Sequence, residues 1–226
     1  MNHSDDVFPG SLQKKLTQLG VVAVVIIEDA AKGVPLARAL VEGGVTAMEL
    51  TLRTEAALEA LREIRAEVPE MIVGCGTILK TGQVDQALSV GAAFGVAPGL
   101  NPRVVRHAVE CGLPFAPGVL TPSEVELALE LGCRLLKFFP AEPSGGLDYL
   151  RTMAAPFRHL GVKFLPLGGL SPKNAGTYLE ERGLIAAIGG SWLAPKKALD
   201  EGNWEQIRTL AREATALVKS IRGDDR

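Results

Sequence analysis

The chain has 226 residues, 47% of them hydrophobic, with 24 basic and 26 acidic side chains and a formal net charge of −2. That is enough apolar material for a large α/β domain, and the balanced, unclustered charge excludes a nucleic-acid surface or a polybasic membrane patch. An anionic ligand has to be held by a local site, not by the field of the whole chain.

The N-terminus, MNHSDDVFPG, is acidic and polar, where a secretion signal is basic and then apolar. The first long apolar run, VVAVVII at 21–27, is far short of the ~20 residues that a bilayer demands. A soluble cytoplasmic protein is therefore expected. A short helix, SLQKKLTQL, is expected just before this run.

From there, short apolar runs alternate with longer amphipathic ones. The runs are VVAVVII (21–27), AMELTL (47–52), MIVGCGT (71–77), FGVAPG (94–99), FAPGV (115–119), RLLKFFP (134–140), KFLPLGG (163–169) and IAAIGGS (185–191). They start 19–29 residues apart, the spacing of repeated βα units. Between them lie the helix patterns VPLARALVEGG, TEAALEALREIRAEV, TGQVDQALSVG, NPRVVRHAVECG, TPSEVELALELG, GGLDYLRTMAAPF and SPKNAGTYLEERG. Asn101-Pro102, Thr121-Pro122 and Ser171-Pro172 each put a capping side chain before a proline, a helix start signal. Several patterns end in glycine, a helix stop signal. A long helix, NWEQIRTLAREATALVKSI, closes the chain.

The strands read as near-continuous apolar runs, as in a parallel sheet covered on both faces. Eight of them, with right-handed helical crossovers, predict an α/β fold of the (β/α)8 TIM barrel type with an extra N-terminal helix. The expected layout is one domain over 1–226, with 1–20 as segment and helix and 21–226 as barrel and C-terminal helix. The runner-up is an open doubly wound sheet. Its dinucleotide signature is incomplete, because VGCGTIL supplies only two glycines of GxGxxG, and no Walker A motif occurs. Cys75, Cys111 and Cys133 have no CxxC spacing and read as small reduced apolar residues. His3, His107 and His159 are scattered, so neither a zinc cluster nor a Ser-His-Asp arrangement is expected.

In such a barrel, chemistry belongs at the C-terminal ends of the strands. The expected ends carry Glu49, Thr51 and Arg53, then Thr77, Pro98, Lys137, Gly168-Gly169 and Gly190-Ser191. Side chains alternate along a strand, so Glu49, Thr51 and Arg53 share one face, and so do Leu135, Lys137 and Phe139. If both faces point inward, glutamate and lysine meet in one pocket. Apolar walls disfavour an ammonium, and a neutral lysine amine attacks a ketone to form a Schiff base. Glu49 is then the candidate general acid/base. The glycine pairs offer open backbone to a phosphate. Each feature has a plainer reading. A lysine near a strand end snorkels to solvent, Glu49 and Arg53 form an ion pair at the rim, and glycine pairs make turns. Each plainer reading holds for an isolated residue; the joint placement at strand ends favours the chemistry.

With these residues in view, the chain resembles the class I 2-keto-3-deoxy-6-phosphogluconate (KDPG) and 4-hydroxy-2-oxoglutarate (KHG) aldolases. The resemblance runs in order through GGVTAMELTLRT, VGCGTIL, APGL, APGVLTPSE, LLKFFPAE, PLGGLS and IGGSWL. It implies Lys137 as the Schiff-base lysine and Glu49 as the general acid/base acting through a water. It implies Arg53 and Thr77 around the pyruvate carboxylate, Pro98 and Phe139 as pocket walls, and Gly168, Gly169, Gly190 and Ser191 around the phosphate. It implies a (β/α)8 barrel, a homotrimer, no metal and no cofactor. The implied reaction cleaves KDPG to pyruvate and glyceraldehyde 3-phosphate, with KHG to pyruvate and glyoxylate as a second substrate. The C4 epimer, 2-keto-3-deoxy-6-phosphogalactonate, and a non-catalytic sugar-phosphate-binding barrel stay open as alternatives. A metal-dependent aldolase is disfavoured by the missing His/Asp cluster. One departure concerns PLGG, where similar proteins often have PTGG: Leu167 stands in place of a hydroxyl near the substrate's far end.

Overall fold

A computed structural model describes residues 7–223. The first six residues of the expected N-terminal segment lie outside the described residues. Helix α1 (Gly10–Leu19) leads into strand β1 (Val21–Val25). Gly20 between them adopts φ 69° and donates its N–H to the Leu16 carbonyl, the left-handed stop that glycine adopts without a Cβ clash. Helix and strand then alternate: α2 (Gly33–Glu42), β2 (Ala47–Thr51), α3 (Ala56–Glu67), β3 (Ile72–Gly76), α4 (Thr81–Ser89), β4 (Gly95–Val96) and α5 (Pro102–Cys111). The second half continues with β5 (Phe115–Ala116), β6 (Gly118–Val119), α6 (Pro122–Glu130), β7 (Leu135–Phe138), α7 (Gly146–Ala154) and β8 (Lys163–Pro166). It closes with α8 (Pro172–Glu180), β9 (Ile188–Gly190), α9 (Lys196–Asp200) and α10 (Trp204–Arg222). Among the described residues no helix is long and apolar enough to cross a membrane.

The caps form where the sequence placed them. The Asn101 side chain accepts from the Arg103 N–H, and Thr121 and Glu124 make a reciprocal capping box. At Ser171 the backbone N–H donates to Asn174 Oδ1. Such pairs satisfy N–H groups that a helix start leaves open.

All strand pairs are parallel, in a curled arrangement of two sheets. One runs β5-β4-β3-β2-β1-β9 and the other β6-β7-β8. The structure therefore meets the expectation of a parallel α/β sheet wrapped by helices, but the ladder does not run unbroken around a closed ring. The expected strand at 115–119 is cut in two at Pro117, which has no N–H to give to a ladder. The second gap lies between β8 and β9, where Phe164 and Ile185 make an isolated parallel bridge.

Both faces of the sheet are apolar, and each faces its own core. The outward face packs on the helices through residues such as Leu36, Leu61, Val73, Leu136 and Phe164. The inward face gathers Val22, Ala47, Phe94, Val96, Leu135, Leu165 and Leu167, plugged from below by Phe8 and Leu16. Leu135 and Leu136, adjacent in sequence, thus belong to different cores, as the two-residue period of a strand requires. The end of α10 is pinned by Arg222, which donates to the carbonyls of Thr17, Leu179, Ile185 and Ala186.

Candidate active site

The inward face of the sheet is apolar until β2 and β7 each supply one charge. Glu49 and Lys137 are 3% and 5% exposed. Lys137 Nζ lies 3.0 Å from Glu49 Oε1 and 3.3 Å from Oε2. Residues 47 and 49 on β2, and 135 and 137 on β7, point the same way, as two-residue parity requires. Neither plainer reading applies. Lys137 does not reach solvent, and among the described residues Glu49 is paired with Lys137 and not with Arg53. Around them stand Val22, Phe94, Val96, Leu165, Leu167 and Gly189. The Phe139 ring centroid is 5.6 Å from Lys137 Nζ, near enough for its face to act on the cation.

Two glycines make room for this arrangement. A Cβ at Gly76 would fall 2.0 Å from Glu49 Oε1, so any side chain there would displace the carboxylate. A Cβ at Gly189 would fall 2.3 Å from Leu167 Cγ. In sequence Gly76 carries no assignment, and Gly189 stands only as part of the IGGSW glycine pair. The available signal was a glycine inside a strand pattern, which marks close approach of other atoms. Thr51 stands at the strand end in the sequence, on one face with Glu49, but without a role. It is buried, and its Oγ1 has no hydrogen-bond partner in the structure. Its parity with Ala47 and Glu49 was the clue.

The remaining candidates follow the C-terminal ends of their strands. Thr77 follows β3 with φ 59°, a left-handed conformation that strains a β-branched residue by about 1–3 kcal/mol. Pro98 is half-buried, and its carbonyl carbon would lie 2.3 Å from a Cβ at Gly118. Arg53 sits in the exposed turn after β2, with its N–H donating to Thr51 O. Ser191 is exposed beside buried Gly190, just past β9.

The Gly168-Gly169 loop has a one-sided hydrogen-bond pattern. Leu167 O accepts from the Ala141 N–H at 2.7 Å, and Gly168 O from the Glu142 N–H at 3.0 Å. Gly169 O accepts from Asn174 Nδ2 at 3.2 Å. Among the described hydrogen bonds, the N–H groups of Gly168 and Gly169 have no acceptor. Both glycines have positive φ, 95° and 83°. Successive free N–H groups in such a turn, ahead of the α8 N-terminus, make a concavity suited to an anion. The loop is braced from behind by Glu142, which accepts from the Tyr178 hydroxyl.

Of the cysteines, Cys75 and Cys133 are buried as expected, but Cys111 is exposed. Burial pushes the Cys75 thiol up to about 12, and the Glu49 carboxylate adds to the effect. Cys75 therefore stays protonated at neutral pH and is no nucleophile.

The family model for KDPG and KHG aldolases matches residues 12–210. The KHG/KDPG aldolase of Escherichia coli K12 is 44% identical over 209 residues, which span 92% of this chain and 97% of that protein. The crystal structure of the KDPG aldolase of Zymomonas mobilis ZM4 with 3-phosphoglycerate superposes with a TM-score of 0.84 at 43% identity, covering 91% of this chain and 95% of that one. The KDPG aldolase of Legionella pneumophila, with pyruvate captured as a covalent carbinolamine, gives a TM-score of 0.84 at 33% identity, covering 89% and 97%.

Proposed function

The chain belongs to the KDPG and KHG aldolase family, and on that premise we propose that it cleaves KDPG to pyruvate and glyceraldehyde 3-phosphate. It is a lyase. The observation that carries the site assignment is the buried Lys137–Glu49 pair at 3.0 Å. A lone buried ammonium would be too costly, and a carboxylate at this distance gives its proton somewhere to go.

Transfer of a proton from Nζ to Glu49 leaves a neutral amine inside an apolar cavity. Nζ attacks the C2 ketone, giving a carbinolamine, and loss of water gives the protonated imine. Glu49, again ionised, takes the proton of the C4 hydroxyl. The C3–C4 bond breaks, its electron pair flows toward the imine nitrogen, and glyceraldehyde 3-phosphate leaves. Glu49 returns its proton to C3 of the enamine, and water then hydrolyses the imine to free pyruvate. One side chain serves as acid and base because, among the described residues, Glu49 is the only buried carboxylate and it faces Lys137 Nζ.

The rest of the pocket divides by chemistry. Arg53 and Thr77 hold the keto-acid carboxylate, with Thr51 Oγ1 as a further polar contact. Pro98 and Phe139 wall the imine. Gly168, Gly169, Gly190 and Ser191 hold the phosphate; the two free N–H groups on the glycine loop support this. We read the two sheets as one eight-stranded barrel with two seams. The Lys137 N–H donates to Pro117 O at one seam, and at the other Phe164 donates its N–H to Leu184 O and accepts from the Ala186 N–H. KHG is a second substrate on this reading, since the lysine chemistry needs only a 2-keto-4-hydroxy acid. The homotrimer and the cytoplasmic location stay expectations, the first checked by light scattering of the purified chain.

Borohydride reduction with pyruvate, followed by peptide mapping, tests the assignment: the reduced adduct is expected on the peptide carrying Lys137. An unmodified lysine in a chain that turns over KDPG sinks the imine step. Comparing kcat/KM for KDPG, its C4 epimer and KHG ranks the substrates.

A further inference from the structure

We propose that Asp85, His107 and Cys111 form a surface site for a borderline-soft divalent cation of the zinc class. It lies on the outer helical layer, separate from the Lys137 cavity. Asp85 is on α4; His107 and Cys111 are one turn apart on α5 and share a face. The sequence hid the grouping, since 22 residues separate aspartate from histidine and only the packing of α4 against α5 joins them.

The geometry separates this cluster from an ordinary surface ion pair. Asp85 Oδ1 lies 2.7 Å from His107 Nε2. Cys111 Sγ lies 3.6 Å from the same Nε2 and 3.9 Å from Asp85 Oδ1. In a relay that activates a thiol, the carboxylate and the sulfur take opposite ring nitrogens. Here both meet Nε2, while Nδ1 is farther from the sulfur, at 3.9 Å. Three donor atoms facing one another describe a triangle. A tetrahedral zinc ion with its usual bond lengths has edges of about 3.6 Å to sulfur and about 3.3 Å between nitrogen and oxygen. The two sulfur edges are already near this size. The remaining edge widens by about half an ångström, which the exposed Asp85 side chain allows.

The donor set also selects the cation. A thiolate, an imidazole and one carboxylate suit zinc, cobalt or nickel and are poor for magnesium or calcium, which favour oxygen ligands. Three protein ligands leave the fourth position to water. On ligation the S–H bond of Cys111 breaks, a metal–sulfur bond forms, and the proton leaves to solvent. The bound ion would clamp α4 to α5.

Titration of the EDTA-treated full chain with cobalt(II) tests the site. We expect one cobalt per chain with a thiolate-to-cobalt charge-transfer band, lost in Cys111→Ser. His107→Ala and Asp85→Asn each weaken binding at least tenfold. Zinc displaces cobalt, magnesium does not, and zinc raises the melting temperature of the wild type but not of Cys111→Ser. Aldolase activity and circular dichroism of Cys111→Ser stay as in the wild type, so failure here is distinguishable from failure of the aldolase assignment. No thiolate band in the wild type, or a band surviving in Cys111→Ser, overturns the proposal; so does unchanged affinity in Asp85→Asn or His107→Ala.

Discussion

Two buried cations mark the two ends of the strands, and their surroundings differ. Arg222, 8% exposed, lies at the N-terminal end, where its fork donates to four main-chain carbonyls. Burial, with Arg182 adding to it, pulls its guanidinium down to about 10, so it keeps its charge at neutral pH. Lys137, 5% exposed, lies toward the C-terminal ends and faces one carboxylate and an apolar wall. A carbonyl cannot take a proton, and a carboxylate can. The first setting makes a rivet; the second leaves the cation's proton somewhere to move.

The sharpest break of this comparison is Lys137→Ala. Activity on KDPG should fall by at least ~10⁴-fold, as when a covalent nucleophile is removed. Because Glu49 is left as an unpartnered buried charge at a cost of about 3–5 kcal/mol, the Lys137→Ala/Glu49→Gln double variant should be better folded and just as inactive. Activity within tenfold of wild type in either would end the Schiff-base account. Next comes Glu49→Gln, expected to lose ~10²–10⁴-fold in kcat as an acid/base is removed. It should still trap pyruvate under borohydride, more slowly; equal losses in trapping and turnover would mean that Glu49 only holds the lysine in place.

At the other end, Arg222→Met leaves several carbonyls without donors and should cost about 3 kcal/mol of stability, read as a lower denaturant midpoint. The kcat of the folded protein should not change; a large change would show that the two ends are not separate in role. Alkali should bear on the reactive end. The folded Cys75 thiol titrates at about 12, against an ordinary 9.0. From pH 9 upward the unfolded thiol ionises and the folded one does not, so its contribution to stability is lost as pH rises toward 12, by ~1.4 kcal/mol per pH unit. Cys75→Ser should lack this slope in pH-dependent denaturation, and parallel curves for the two proteins would reject it. The smallest effect is Leu167→Thr. A hydroxyl restored beside Gly189 should change kcat/KM for phosphorylated substrate by about 1 kcal/mol, roughly fivefold.

The chain order of strands and helices and the inward placement of Lys137 were legible because they rest on local rules. Two-residue parity placed Glu49 and Lys137 on inward faces, and capping chemistry placed the starts of α5, α6 and α8. The break at Pro117 was visible as a proline, but its effect on the ladder depends on neighbours that only the fold supplies. Arg222 illustrates the limit. In sequence it falls one residue past the expected closing helix, and no local pattern marks it out. Only the packing of α10 against α8 and the floor of the sheet surrounds it with carbonyls.

The sequence by itself therefore determined the repeating βα architecture and the inward placement of a lysine near a strand end, because periodicity, caps and turn residues act over a few neighbours. The tertiary structure decided the partners. It set Glu49 against Lys137 across 88 residues, opened space for the carboxylate at Gly76, left the Gly168-Gly169 N–H groups without an acceptor among the described residues, and gathered Asp85, His107 and Cys111. Those facts are distances between segments remote in the chain, and such distances are set by packing, to which no local rule gives access.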